Sequence, residues 1–229
     1  MVARGTFVGV TAVLVALLLI VSVAAGFYYL QSQQEASSSG TYSSELAGSL
    51  ADNRALVATL AATLREYNAT LVYLAQAVSG MNTSSTAYQN ASRELPGLWS
   101  EYLALAKAGR ARVETYTVDM LLEYGNGSSE WINDTAVQPG WNLYTATLVA
   151  LSGRVQSTWY PYLSGGEDFV DSLNGVAYSS TTSWFFWTRA NGTWQVASTG
   201  ANLIPAFNGT AYAWTLCGYG QNYLPTCTP

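Results

Sequence analysis

Hydrophobic spacing changes character several times along this chain. Phe7 to Leu30 is a run of 24 residues without a charge. At about 1.5 Å per residue it would make roughly 36 Å of helix, enough to cross a hydrocarbon layer of about 30 Å. Arg4 is the only charged side chain before the run and Glu35 the first after it. The pattern predicts a single-pass transmembrane helix at 7–30, N-terminus inside, with the bulk of the chain extracytoplasmic. Two other fates fit the same run: a signal peptide cut after Ala25, or a prepilin-type leader cut after Gly5. Residues 31–41, rich in Ser and Gln, read as a flexible spacer.

From Leu46 the apolar steps alternate four and three: Leu46, Leu50, Asn53, Val57, Leu60, Leu64, Tyr67, Leu71, Leu74, Val78 and Met81. That is a heptad seam in which Asn53 is the single polar member, as in register-setting positions of coiled coils. Gly80 to Ser85 reads as a break, and a second helical stretch runs from about Thr86 to Arg110. Residues 42–110 are therefore expected as a helical hairpin turning at 80–85, or as a longer coiled-coil stalk.

The period then drops to two. Tyr116, Val118, Met120, Leu122 and Tyr124 alternate with more polar neighbours, and Glu130 to Val137 reads as the returning strand. Trp141 to Leu151 has helical spacing. Phe169–Leu173 and Val176–Tyr178 flank Asn174-Gly175, a strong hairpin signal. Ser183–Thr188 and Trp194–Ala197 flank a second turn at Ala190-Asn191-Gly192, and Thr210 to Leu216 alternates as a final strand. The expected fold class is α+β: a β-grasp-like domain over 111–216, one helix on a mixed sheet, with a tail at 217–229.

Composition narrows the function classes. Only 10% of residues are charged, the formal net charge is −5 and histidine is absent. A net-negative chain with nine scattered cations is a poor nucleic-acid partner, because that affinity rests on neutralising phosphates. Without histidine there is no Ser-His-Asp or Cys-His nucleophile system and no His-based metal site. Cys217 and Cys227 close an 11-residue segment and, outside the cytoplasm, are expected to form one disulfide. Seven Asn-X-Ser/Thr sequons, at Asn68, Asn82, Asn90, Asn126, Asn133, Asn191 and Asn208, predict a glycosylated exterior.

Several segments together resemble a known family. They are Leu122-Glu123-Tyr124-Gly125-Asn126-Gly127, Gln138-Pro139-Gly140-Trp141-Asn142-Leu143, Phe169 to Val176, Ser183-Trp184-Phe185-Phe186-Trp187, and Asn208 to Trp214. In this order they are similar to the transcobalamin-like C-terminal domain, a β-grasp-like module of secreted and surface prokaryotic proteins. It is also similar to the C-terminal domain of the animal cobalamin carriers. The resemblance spans about 114–216 and implies cobalamin or another corrinoid as a ligand. It departs from the carriers in two ways: their large helical barrel has no counterpart in the 70-residue helical segment, and no histidine can coordinate cobalt.

Seven of the eight tryptophans follow residue 130. Asn174, Trp184, Phe185, Trp187 and Trp194 are the candidate ligand-binding residues, the aromatics serving as a platform for a corrin or for sugar rings. On a strand, Trp184 and Phe186 face one side and Phe185 and Trp187 the other, so one set must be core. Glu167, Asp168 and Asp171 form the densest acid cluster, without a complete calcium-loop pattern, and read as a solvated face. No catalytic constellation and no metal site is found. The sequence predicts a binding module and not an enzyme. Its partners would be the membrane through 7–30, a ligand or surface-protein partner, or further copies of itself. The alternative is a structural or adhesion subunit.

Overall fold

The structure is a computed structural model that describes residues 39–80, 85–163 and 166–229. Helix α1 spans Ser39–Gly80 and helix α2 Thr86–Ala108. The Leu60 side chain lies directly against Gly109, just past the end of α2, so the two helices run back past one another as a hairpin. Leu46, Leu50 and Val57 precede that contact and stay 55%, 49% and 66% exposed, whereas Leu64, Leu71 and Val78 are buried. The heptad seam is thus satisfied only along its second half.

The expected transmembrane helix at 7–30 lies outside the described residues, and no helix among the described ones is long and apolar enough to cross a membrane. Helix α1 has the length, at 42 residues. However, Glu45, Asp52, Arg54, Arg65 and Glu66 interrupt it, and each charge is costly in hydrocarbon. The membrane-spanning element and the single-pass membrane location are therefore withdrawn.

Eight strands follow: β1 Tyr116–Glu123, β2 Ser129–Val137, β3 Val155–Tyr160, β4 Glu167–Leu173, β5 Val176–Ala177, β6 Thr182–Ala190, β7 Thr193–Val196 and β8 Thr210–Gly218. A short helix, α3, spans Leu143–Ala150. The strands make two sheets, not the one mixed sheet that a β-grasp-like domain required. The larger has the order β2-β1-β8-β6-β7 and the smaller β3-β4-β5. Pairing explains the division. Strand β6 is flanked by β8 and β7 and β1 by β2 and β8, so the β4–β5 hairpin pairs with β3. The hydrophobic pattern marks no strand between Leu151 and Phe169, where β3 forms. Its Gln156, Thr158 and Tyr160 face water, and its alternation is too polar to stand out. All pairings are antiparallel except β1 with β8, whose connection contains most of the domain.

Local chemistry sets the ends of these elements. Asn142 caps α3, its Oδ1 accepting from the Thr145 N–H at 2.8 Å, which satisfies one orphan donor of the first turn. Asn174 and Gly175 both have positive φ, 52° and 83°, as a two-residue type I′ hairpin turn requires.

Residues 143–148 of α3 are all buried, so the helix is enclosed on every side. Thr147 anchors it to the large sheet: its hydroxyl donates to the Leu143 carbonyl at 2.8 Å and accepts from the Trp214 indole at 3.1 Å. Tyr144 reaches the other way, to Ser157 on β3 at 2.6 Å and to the Tyr88 hydroxyl of α2. Trp99 of α2 donates to the Ala136 carbonyl at 2.8 Å and packs on Trp141 with ring centroids 4.9 Å apart.

Contacts divide the chain into two compact units. One takes residues up to Tyr67 with Leu105–Ala111, the other Asn68–Ala104 with Arg112–Pro229. All the interactions described below lie within the second. Cys217 and Cys227 form the expected disulfide, with Cα atoms 6.1 Å apart, and Thr226 bonds back to the Gly218 carbonyl through its N–H and its hydroxyl, each at 2.9 Å.

Candidate functional site

The alternation of β6 sorts the sequence-predicted aromatics. Trp184 and Phe186 turn inward, where Phe186 packs on Trp214 at 4.7 Å. The Trp184 indole donates to the Val176 carbonyl at 3.0 Å, and Trp184 packs edge-on against Tyr124. Trp187 turns to the outer face and is buried there too, in a small cluster with Leu121 and Ala213 against which Phe185 and Trp194 pack half-buried. Its indole donates to the Thr215 hydroxyl at 2.7 Å. Trp184 and Trp187 are therefore occupied by packing and by hydrogen bonds.

The exposed part of this face is built by two other strands. Register aligns Trp131 with Leu121, Leu121 with Ala213, Ala213 with Trp187, and Trp187 with Val196, one row across the whole sheet. Trp131 on β2 and Trp194 on β7 start four strand spacings apart, roughly 19 Å in a flat sheet. Their ring centroids are nevertheless only 6.5 Å apart. The sheet coils until its two edge tryptophans meet over the row beneath them. Trp131 is 47% exposed. Among the described residues no hydrogen bond occupies the indole N–H of Trp131 or of Trp194, in contrast to those of Trp99, Trp184, Trp187 and Trp214. The Arg189 guanidinium sits 5.6 Å from the Trp194 ring, a cation held against an aromatic face. The result is an apolar surface with two free N–H donors and one cation at its rim.

Sequence reasoning named Trp194 and Phe185 of this surface but missed Trp131 and Arg189. It placed Trp131 on a returning strand, and only the coil of the sheet brings it to Trp194. A second exposed aromatic row also escaped it. Tyr160, Phe169 and Tyr178 run edge-to-face across the outer side of the small sheet, with centroids 6.2 and 5.8 Å apart. Asn174 belongs to neither surface. Its Nδ2 donates to the Tyr124 hydroxyl at 3.0 Å, and it lines a cleft beside α2.

The acid cluster expected to be solvated divides by strand alternation. Asp171 faces out and accepts from the Thr158 hydroxyl at 2.8 Å. Asp168 turns inward, is only 6% exposed, and neither carboxyl oxygen has a hydrogen-bond partner. Burial pushes its pKa up from 3.8 to about 7, because an ionised carboxylate cannot be solvated there. Among the described residues no three His, Cys, Asp or Glu side chains converge as a metal site would require.

Of the sequons, Asn126, Asn133, Asn191 and Asn208 are exposed, and Asn68 and Asn90 half-buried. Asn82 lies outside the described residues. Asn68 Oδ1 accepts from Gln138 Nε2 at 2.8 Å, and Asn208 Oδ1 from the Thr117 N–H at 2.9 Å.

No protein family and no curated protein matches the sequence. Among solved structures, haptocorrin in complex with Cbi is similar at a TM-score of 0.37 and 11% identity over 88% of this chain; this chain spans 58% of the haptocorrin chain. A protein of Ruminococcus gnavus described as a candidate metal-binding protein is similar at 0.37 and 13% identity, over 46% of this chain and 99% of its own. Both are likenesses in the path of the chain, at identities too low to carry a function.

Proposed function

We propose that this chain is a ligand-binding module that holds a flat, ring-bearing ligand against the Trp131–Trp194 surface. The observation that supports this reading is the meeting of two edge-strand tryptophans with free indole N–H groups beside Arg189. Indoles spared from the core combine a large apolar area with a polar handle, the combination found where one side of a ring is dry and the other wet. A corrinoid is the first ligand to test, because the sequence resemblance implies one. Cobalamin added to the full chain is expected to shift its visible spectrum and to release heat, with both signals lost in Trp131→Ala. No shift and no heat would refute the corrinoid. Binding that survives both Trp131→Ala and Trp194→Ala would refute the site.

One observation favours a second reading, a self-assembling structural subunit. Leu46, Leu50 and Val57, with Asn53 between them, form an apolar seam on α1 that stays exposed. Such a seam is a coiled-coil surface in search of a second helix. Sedimentation is expected to show oligomers of the full chain that dissociate in Leu50→Glu. A monomer at micromolar concentration would count against it.

A further inference from the structure

The cleft beside α2 is lined by cations without an acid. The chain carries 14 acidic and nine basic side chains, yet two arginines and no acid line this cavity of about 580 Å³. That volume falls within the roughly 300–1,000 Å³ typical of small-molecule sites. Arg93 comes from α2 and Arg154 from the turn that leads into β3, 61 positions apart in sequence.

Their convergence has a backbone cause. Gly153 adopts φ of +78°, and a Cβ built there would lie 3.3 Å from the Ser92 carbonyl oxygen and 3.8 Å from the Arg93 Cα. The chain entering β3 therefore passes directly against the backbone of α2 and delivers Arg154 beside Arg93. Neither guanidinium forms an ion pair or hydrogen bond with the described residues. Both arginines are exposed, so their charges are open to an anion entering the cleft from solution.

The remaining wall is neutral and rich in hydrogen-bonding groups. Ser157 and Tyr88 are held in place through Tyr144. Ser172 is fixed by its bond to Gln156 at 3.2 Å, and Asn174 by its bond to the Tyr124 hydroxyl. The first turn of α2 also faces the cavity, with its Tyr88 N–H capped by the Ser85 hydroxyl at 3.1 Å. A helix N-terminus adds a modest positive potential. The lining thus offers two full positive charges and fixed hydroxyl and amide groups, alongside the apolar surface of Tyr88 and Val155.

We infer that this cleft binds a small polyhydroxylated oxyanion, a sugar acid or sugar phosphate, with Arg93 and Arg154 clamping the carboxylate or phosphate and the Ser157, Ser172 and Asn174 side chains meeting the hydroxyls. Guanidinium matches both oxyanions, because each presents two oxygens to its planar fork. This site is separate from the aromatic surface and does not depend on the reading given for it.

Calorimetric titration of the full chain with glucuronate, glucose 6-phosphate and uncharged glucose tests the inference. At least one of the two anions is expected to bind, at least tenfold more tightly than glucose, with affinity falling as salt rises. The arm that binds distinguishes carboxylate from phosphate. Arg93→Gln and Arg154→Gln are each expected to weaken binding by about tenfold or more with little change in melting temperature, since both side chains are exposed. Trp131→Ala, remote from the cleft, leaves this binding intact. The inference is overturned if neither anion gives heat, if glucose binds as well as the anions, or if both arginine variants bind like the parent.

Discussion

Replacing Asp168 with Asn tests whether one buried carboxyl sets the pH profile of stability. In the folded chain this carboxyl titrates near 7; in the unfolded chain it titrates at about 3.9. Between those values the folded state holds a proton that the unfolded state has lost. Stability therefore falls as pH rises through that window, by about 1.4 kcal/mol per unit. Below about 4 both states are protonated and above about 7 both are ionised, so the effect is flat at either end. The full loss is on the order of 4 kcal/mol, a large share of the 5–15 kcal/mol that holds a typical domain. The two tyrosines that feel this charge, Tyr88 and Tyr144, do not titrate in the same range. Burial pushes Tyr88 up to about 12 and Tyr144 well above its ordinary value. The Asn variant keeps the size of the neutral acid, cannot ionise, and adds a buried amide that needs partners of its own. It is expected to be more stable than the parent at pH 7.5, by about 1–3 kcal/mol after that amide cost. Urea unfolding followed by tryptophan fluorescence from pH 4 to 8 measures this. The parent-minus-variant difference isolates the one residue. It should slope across the window and level off above pH 7. A variant with the parent's slope, or one less stable at pH 7.5, would refute the reasoning.

Three further outcomes follow from packing and chemistry. Trp99→Ala removes an indole that packs between Tyr102 and Trp141 and leaves the Ala136 carbonyl unbonded; it should cost about 3–5 kcal/mol in urea unfolding. Cys227→Ser opens the loop closed by the disulfide and should cost roughly 2–3 kcal/mol, with reductant bringing the parent to the same midpoint. Expressed in a glycosylating host, the chain should carry glycans at the exposed Asn126, Asn133 and Asn191, and none at Asn68. The Asn68 carboxamide is half-buried and bonded to Gln138; peptide mass mapping reads the occupancy.

The sequence announced its elements where chemistry is local. Heptad spacing marked α1, and two-residue alternation marked β1, β6 and β8. Asn174-Gly175 and Asn191-Gly192 marked their hairpins, since positive φ favours these residues. Cysteine spacing gave the disulfide. These features depend on neighbours within a few positions, and so they survive in a linear reading.

What the sequence could not decide depends on residues far apart. Strand β3 is half solvent-facing and has no pattern of its own; it became a strand by pairing with β4, and that pairing divided one expected sheet into two. Whether Trp187 was platform or core turned on Leu121 and Ala213, which lie opposite it only after β1 and β8 pair in parallel. Trp131 joined Trp194 through the coil of a five-stranded sheet. Asp168 seemed one of three like acids until alternation turned it into the interior. Arg93 met Arg154 only because a glycine at positive φ let two backbones touch. Local propensity fixed the elements and their faces. Burial, charge meetings and surfaces were decided by long-range pairing, because each depends on which distant side chain takes the place of water.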